Sequence, residues 1–231
     1  MKQIPCNVCS SRNTGVFCHL SAADQALCNN HKTSNLYKSG QKLFYEGNLP
    51  LGIYCVFSGK LKLYKTGVNG RLQIVRLASA GDLLGYRSLI SDEPYSATAE
   101  VIDEAMVCFI DKTTFFDVLR RNPQLALEMM KKLCRELREA EDHVMDVAQK
   151  STRERMAALL LTLKEAYGSP ILGGGFSLGI ELSREEMAEM IGTTQETVIR
   201  LLSELRSQGV VEIVGRSITI LKEKNLQSLI S

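Results

Sequence analysis

The sequence predicts an α+β chain: an antiparallel β-rich N-terminal domain, a long amphipathic helix and a C-terminal winged helix-turn-helix. Three observations predict this order. Short apolar runs between glycine turns fill the first half, a 3.5-residue apolar repeat follows, and two short helical patterns then precede two strand patterns. The expected domains are a cysteine-bearing segment (1–30), a β domain (31–122), the long helix (123–149) and the winged domain (150–231).

The composition allows two folded domains and gives no global indication of a partner. Of 231 residues, 45% are hydrophobic, and 28 basic residues nearly balance 26 acidic ones, so any case for nucleic acid depends on local arrangement. No apolar run reaches the ~18 residues of a membrane span, and the N-terminal residues lack the apolar core of a secretory signal. We therefore expect a cytoplasmic protein with no membrane partner, in which the seven cysteines are not a disulfide framework.

Strand patterns follow one another at short intervals from about Tyr37 to Ile110. The clearest runs are Lys42–Tyr45, Gly52–Gly59, Lys60–Lys65 and Gln73–Leu77. Basic and apolar residues alternate over Lys60–Leu63, which is typical of a half-buried strand. The Asn69-Gly70 pair predicts a two-residue hairpin, because both residues tolerate positive φ. Together these patterns predict an antiparallel sandwich or barrel.

After Pro123 the apolar residues recur at alternating intervals of four and three. They are Ala126, Met130, Leu133, Leu137, Ala140, Val144 and Val147, with charged residues between them. A stripe this narrow, with a period of 3.5 residues, favours the seam of a two-helix dimer. The alternative is a helix packed on its own domain, for which a broader stripe is usual. A second helix is predicted over Ser151–Tyr167, and Gly173–Gly175 predicts a flexible connection after it.

Two short helices joined by a tight turn are predicted further along the chain. Ser183 and Glu186 form a capping box that opens the first helix, and Gly192 supplies the turn. Thr193 or Thr194 then caps the second helix. The inward face of this second helix is apolar and consists of Val198, Leu201, Leu202 and Leu205. The turn length is that of a helix-turn-helix.

The second of these helices would present polar side chains at its N-terminal end, as entry into a DNA major groove requires. Its exposed half carries Gln195, Glu196, Ile199 and Arg200. Glu196 can accept from cytosine N4, and Arg200, one turn on, can donate to guanine O6 and N7. Hydroxyl side chains of the kind that position phosphates are Ser183, Thr193, Thr194 and Thr197. Arg216 lies at the tip of a predicted two-stranded wing. The alternative is that Glu196 and Arg200 form only a surface ion pair.

With these residues in view, the chain resembles the CRP/FNR family of bacterial transcription regulators along essentially its whole length. Gln195-Glu196-Thr197-Val198-Ile199-Arg200 resembles the E-T-V-x-R core of the family's recognition helix. Further glycines, Gly40, Gly59, Gly81 and Gly85, fall at the turns of its cyclic-nucleotide-binding-like β-barrel. The resemblance implies a homodimer that binds inverted-repeat promoter DNA, with double-stranded DNA and RNA polymerase as partners. It carries over Glu196 and Arg200 as base readers, whereas Gln195 replaces an arginine of CRP-type proteins.

The resemblance also implies an effector pocket in the β-barrel. Its candidate residues are Gly85, Tyr86, Arg87, Tyr95 and Ser96. In cyclic-AMP-binding members a glutamate holds the ribose and an arginine holds the phosphate, where this sequence has Tyr86 and Tyr95. Ala140-Glu141 also replaces the adenine-contacting Thr-Ser pair. Burying a cyclic phosphate without a cation costs several kcal/mol, so the sequence argues against cyclic AMP unless Arg87 substitutes. Another small ligand is the alternative.

The cysteines resemble a second kind of sensor within the family. Members on the FNR side hold an oxygen-labile [4Fe-4S] cluster through three N-terminal cysteines and one in the barrel, which Cys6, Cys9, Cys18 and Cys108 resemble. The gap from Cys9 to Cys18 is longer than in that pattern, and Cys28 is a competing ligand. A four-thiolate zinc site of Cys6, Cys9, Cys18 and Cys28, or redox-active thiols, are alternatives. The simplest interpretation of Cys108, Cys55 and Cys134 is that of small core or helix-face residues.

Other classes of protein fit the sequence less well. Only three histidines occur, there is no phosphate-cradling GxxxxGK[ST] loop, and no Ser/His/Asp grouping can be placed, so we expect no enzyme. An iron-sulfur or zinc redox protein without a specific DNA target is the alternative of a different class. Because Ala140 stands where FNR has an acidic residue, we expect a dimer with or without a cofactor.

Overall fold

The computed structural model describes residues 5, 6, 9, 17 and 20–230, and it divides into two compact units, Met1–Leu137 and Arg138–Ser231. Cys18, one of the predicted cluster ligands, lies outside the described residues. The elements of the first unit are α1 (Ala22–His31), β1 (Lys32–Tyr37), β2 (Lys42–Phe44), β3 (Gly52–Ser58), β4 (Leu61–Thr66), β5 (Leu72–Ala78), β6 (Leu83–Leu84), α2 (Tyr86–Ser91), β7 (Thr98–Val101), β8 (Ala105–Asp111) and α3 (Lys112–Arg121). Helix α4 (Pro123–Gln149) begins in this unit and ends in the next.

The first unit is built from two antiparallel four-stranded sheets, as the strand patterns predict. The strand orders are β1-β8-β3-β6 and β2-β7-β4-β5. Apolar side chains such as Val56 and Leu61, neither exposed at all, fill the core between strands of both sheets. A second core joins Ile53 of β3 to α1, α2, α3 and the start of α4. This packing places the short helix α2 against the barrel beside α4.

Two local predictions in this unit are wrong. The loop between β4 and β5 is longer than a two-residue hairpin, because it runs from Gly67 to Arg71 and is closed by a 2.8 Å hydrogen bond from the Gly67 amide to the Arg71 carbonyl. The alternation over β4 does not expose its lysine either. Lys62 is buried, and its Nζ lies 3.4 Å from a Glu100 carboxylate oxygen on β7. A paired charge therefore occupies a position that the pattern assigned to solvent.

Helix α4 carries two different faces, so both interpretations of its sequence apply in part. Leu125 and Met129 pack into the core of their own unit, and Leu133 is partly buried there. On another side of the helix Met130, Leu137, Val144 and Val147 remain exposed, at 55%, 61%, 66% and 48%. The predicted seam is therefore an uncovered apolar face in the single chain, except at Ala126 and Leu133, which are partly buried.

The second unit contains α5 (Thr152–Tyr167), β9 (Gly168–Pro170), β10 (Phe176–Leu178), α6 (Arg184–Ile191), α7 (Gln195–Ser207), β11 (Val211–Val214), β12 (Ser217–Ile220) and α8 (Glu223–Gln227). The sheet order is β11-β12-β10-β9. The predicted connection at Gly173–Gly175 lies in the turn of the β9–β10 hairpin, and all three glycines have φ between 94° and 97°. No helix in the described part of the chain is both long and apolar enough to cross a bilayer.

Candidate nucleic-acid interface and sensor sites

The helix-turn-helix consists of α6 and α7, and side-chain caps fix the start of each helix. The Ser183 hydroxyl accepts from the Glu186 amide at 3.0 Å, and the Glu186 carboxylate accepts from the Ser183 amide at 2.8 Å. Thr194 caps α7 by accepting from the Thr197 amide at 3.3 Å. Gly192 ends α6 with φ 65°, a left-handed conformation that glycine adopts at no steric cost. The predicted capping box and turn are confirmed.

Helix α7 buries one face and exposes the other. Val198, Leu201, Leu202 and Leu205 are each at most 4% exposed. The opposite face is open to solvent and carries Gln195, Glu196, Ile199 and Arg200. This division is what a major-groove reading helix requires, because its base-contacting side chains must be free while its axis is fixed.

The two predicted base readers are not paired with each other, which removes the surface-pair alternative for them. Arg200 Nη1 instead lies 2.8 Å from a Glu204 carboxylate oxygen, one turn further along the helix. An exposed i,i+4 pair of this kind contributes only ~0.3–0.5 kcal/mol. Arg200, whose side chain is 64% exposed, can therefore exchange Glu204 for a guanine edge at small cost.

Glu196 is held as an ionised acceptor at the start of α7. Hydrogen bonds from its own backbone amide and from the Thr194 side chain keep the pKa of Glu196 below its ordinary value. A carboxylate at a helix N-terminus is also favoured by the helix dipole. Glu196 is thus charged at neutral pH and suited to accept from cytosine N4.

The hydroxyl side chains predicted to contact phosphate have a further task in the fold. Ser183 and Thr194 cap α6 and α7 with oxygen lone pairs, which leaves the Ser183 hydroxyl hydrogen available as a donor, whereas the Thr194 hydroxyl also bonds the Glu196 carboxylate. Thr193 and Thr197 are partly exposed beside them. The four hydroxyl groups therefore lie at the N-terminal ends of the two helices, where phosphate contacts are common.

The wing consists of β11, β12 and the Gly215-Arg216 turn between them, and Arg216 is exposed there. Sequence reasoning missed the residue that supports this turn. Arg184 Nη2, from the first residue of α6, donates to the Gly215 carbonyl at 3.0 Å. Nothing in the sequence distinguishes this arginine from an ordinary surface residue, because the contact joins positions 31 residues apart.

The candidate effector residues all lie in the first unit, and a side chain of the protein already engages two of them. Gly85 caps α2 with φ 79°, and the next two residues, Tyr86 and Arg87, both donate to the carboxylate of Glu136 on α4. Tyr95 is buried, stacks on Phe44 at a ring-centroid distance of 4.0 Å and packs over Gly85. Ser96 is exposed. Sequence reasoning did not identify Glu136, because in the sequence it is one of several charged residues between the apolar residues of the seam.

The cysteines form the other candidate sensor site. A cavity of about 80 Å³ in the first unit is lined by Cys6, Cys9, Cys28, Cys55 and Cys108. This volume is far below the ~300–1,000 Å³ of pockets for drug-sized organic ligands. The cavity therefore suits a compact inorganic group better than a nucleotide. Cys134, by contrast, is exposed on α4.

The thiols around this cavity are close enough to influence one another. Burial, reinforced by neighbouring groups including Cys6, raises the pKa of Cys28 to about 12. Burial also raises the pKa of Cys55, with smaller contributions from Cys108 and Cys28. Lys32, itself buried, donates to Cys6 Sγ at 3.1 Å, so a cation lies among the thiols.

The cavity has the donor chemistry of the iron-sulfur site that the resemblance implies. Soft thiol donors are the ligands that such clusters take, and four of them are required. Cys108 has the burial of a core residue, and Ser34 Oγ lies 3.3 Å from its sulfur, yet it also faces the cavity. Within residues 5, 6, 9, 17 and 20–230, no three His, Cys, Asp or Glu side chains are already arranged around a metal position. The thiol donors are therefore of the right chemical type, and the described thiols would have to move closer together to bind a cluster.

Comparison with known proteins agrees with this architecture. The Cyclic nucleotide-binding domain family matches residues 35–122, and the Crp-like helix-turn-helix domain family matches residues 154–229. Nitrogen fixation regulation protein FixK of Bradyrhizobium diazoefficiens is 30% identical over 97% of this chain and 93% of its own length. The fumarate and nitrate reduction regulatory protein of Vibrio cholerae is 28% identical over 83% of this chain and 76% of its own length. The solved structure of FixK2 from Bradyrhizobium japonicum has a TM-score of 0.76, with 28% identity, covering 87% of this chain and 98% of that one.

A capped helix-turn-helix with a free polar face, together with a wing and a β-barrel domain, defines a DNA-binding regulator rather than an enzyme. The chain belongs to the CRP/FNR family of transcription regulators.

Arg200 should determine the base preference at one position of the DNA site. Replacing it with alanine should remove ~1–3 kcal/mol of discrimination at a single G·C pair, because a bidentate guanine contact is lost. Competition binding against a panel of single-base variants of the operator measures this. Arg206→Ala, an exposed arginine near the end of the same helix, is the matched control and should leave the preference unchanged. Equal weakening on every sequence by Arg200→Ala would make it a phosphate contact instead.

Proposed function

We propose that the protein is a homodimeric regulator that reads an inverted-repeat promoter site and that its cysteine cavity makes DNA binding responsive to oxygen or redox state. The single observation that supports DNA binding is the exposed face of α7 with Glu196 and Arg200, on a helix whose other face is buried. RNA polymerase as a partner and the domain boundaries given above stay predictions.

The dimer is supported by the uncovered apolar face of α4. Met130, Leu137, Val144 and Val147 repeat with the heptad period and are about half exposed or more. Apolar side chains in such a row gain free energy by meeting an identical row, because a two-helix seam buries both. The full seam, with Leu133 and the small residue Ala140, extends over three heptads. A second copy of this chain is therefore the partner that best fits the face.

The base contacts follow from two-fold symmetry. Each copy would place Gln195, Glu196, Ile199 and Arg200 against one half-site, with the centres of the half-sites ~10 bp apart. Ser183, Thr193, Thr194 and Thr197 would contact phosphates beside each half-site, as would Arg216 of the wing. The half-site we expect has a TGA-like core.

The sensing role is supported by thiols that meet at one small cavity beside a buried lysine. Cys6, Cys9 and Cys108 face the cavity, and with Cys18 they would hold a [4Fe-4S] cluster. Such a group, when bound, supplies one-electron and oxygen chemistry. Cys28 and Cys55 also face the cavity, so either could replace a predicted ligand. Zinc held by Cys6, Cys9, Cys18 and Cys28 is the second candidate, which the position of Cys28 on the same cavity favours.

If the seam forms the dimer interface, a charge placed in it should weaken self-association. Leu137→Glu should weaken self-association by about 100-fold (~3 kcal/mol), because two carboxylates would be buried against each other without partners. Sedimentation velocity at micromolar concentration measures the change. Arg138→Glu changes charge at the next residue, which lies outside the seam, and should remain dimeric. A dimeric Leu137→Glu protein would contradict the seam.

The cofactor is tested by anaerobic purification followed by visible spectroscopy and iron and sulfide analysis. We expect a coloured protein that contains iron and sulfide in equal amounts and loses them in air, with a parallel change in DNA affinity. Cys108→Ser should hold less iron, whereas Cys134→Ser, a thiol on the surface of α4, should match the wild type. A colourless, iron-free protein whose DNA affinity ignores oxygen would rule out the cluster, and stoichiometric zinc would support the second candidate.

A further inference from the structure

A buried carboxylate on α4 contacts two of the candidate effector residues, Tyr86 and Arg87. The side chain of Glu136 is only 7% exposed. Its Oε2 accepts from the Tyr86 hydroxyl at 2.7 Å and from Arg87 Nε at 2.7 Å, and Arg87 Nη2 contacts the same oxygen. Its Oε1 lies 2.9 Å from Arg76 Nη1 and 3.3 Å from Lys132 Nζ. The groups around it thus come from β5, α2 and α4 itself.

The cluster is built to receive an anion. Arg76, Arg87 and Lys132 supply three positive charges, and Asp82 and Glu136 supply two negative ones, so one positive charge is in excess. Asp82 accepts from Arg76 at 2.7 Å and from Lys132 at 3.3 Å, which holds both cations in place. An isolated carboxylate at this depth would be strongly disfavoured, and each of these partners offsets that cost.

The protonation states agree with this geometry. Burial alone raises the pKa of Glu136, but the Arg76 charge and the hydrogen bonds from Tyr86 and Arg87 outweigh it and hold the pKa below its ordinary value. Burial and the bond to Glu136 raise the pKa of Tyr86, so the phenol keeps its proton as a donor. At neutral pH the site therefore contains an ionised carboxylate and intact donors.

We propose that Glu136 is an internal ligand of an anion-binding site formed by Arg76, Tyr86 and Arg87, a site that would take a small free carboxylate if the Glu136 side chain were removed. Arg87 is the cation that a cyclic phosphate would need, and Glu136 already occupies it. A cyclic phosphate would therefore have to displace Glu136 from Arg87. The same contacts fasten the first part of α4 to the barrel without any effector.

The test compares thermal unfolding of the full-length wild type with Glu136→Ala, in acetate or in chloride at equal ionic strength. We expect the alanine variant to unfold at a temperature roughly 5–15 °C lower, because Arg87 loses its carboxylate partner and Arg76 and Lys132 keep only Asp82. Millimolar acetate should restore part of that loss and leave the wild type unchanged. Glu139→Ala, an exposed glutamate on the same helix, is the matched control and should show neither effect. Loss of stability without rescue, or no loss at all, would overturn the internal ligand.

A second measurement keeps the proposal testable if the alanine variant does not fold. Calorimetric titration of wild-type protein with cyclic AMP should show no binding, and Glu136→Gln and Arg87→Ala should be strongly non-additive in a double-mutant cycle of thermal stability. Binding of cyclic AMP by the wild type, or strict additivity of the two substitutions, would contradict the proposal. Since no readout uses DNA, failure here is distinguishable from failure of the proposed regulatory function.

Discussion

A helix can read bases only if the protein fixes its axis from the face that points away from DNA. In α7 this is the task of Val198, Leu201, Leu202 and Leu205, all of which are almost fully buried. The cap at Thr194 fixes where the helix begins, so the side chains one and six residues later, at Gln195 and Arg200, have defined positions. The polar face then makes few internal contacts, chiefly the Thr194 bond to Glu196 and the weak Arg200–Glu204 pair. The DNA-binding role depends on this division of one helix into a buried half and a free half.

Helix α4 has two roles. One face attaches it to the barrel, and another face stays available for a partner. Leu125 and Met129 attach it through apolar packing, and Glu136 attaches it through charge. The heptad residues on its other face stay uncovered. In the account that we propose, Glu136 takes the place of an effector anion, because it already pairs with Arg76 and Arg87. The cysteine cavity is the place where we propose that a signal acts on the first unit.

Much of the architecture could be predicted from local patterns. Periodicity fixes α4 to within a few residues, and the Ser183–Glu186 spacing predicts the start of α6, because caps and heptads depend only on near neighbours in the chain. The exposed side of α7 follows from the same kind of reasoning. The predictions for loops were less accurate. Asn69-Gly70 lies in a loop that is longer than a two-residue hairpin, and Gly173–Gly175, predicted as a connection, lies in the turn of the β9–β10 hairpin.

Long-range electrostatics could not be predicted. Glu136 meets Tyr86 and Arg87 some 50 residues earlier in the sequence, and Arg184 meets the wing turn 31 residues later. Neither contact can be recognised from the hydropathy pattern or from the residue spacing of the sequence. The convergence of Cys28 and Cys55 on the cavity with Cys108 is of the same kind, since it arises from α1, β3 and β8 packing together.

The most direct test of the central claim is selection of binding sites from a random duplex library by the full-length protein, with the preference resolved at every base pair. If two copies of α7 read DNA through Glu196 and Arg200, the selected site will be an inverted repeat with half-sites ~10 bp apart from centre to centre. A single half-site without symmetry, or binding with no base preference, would contradict the claim.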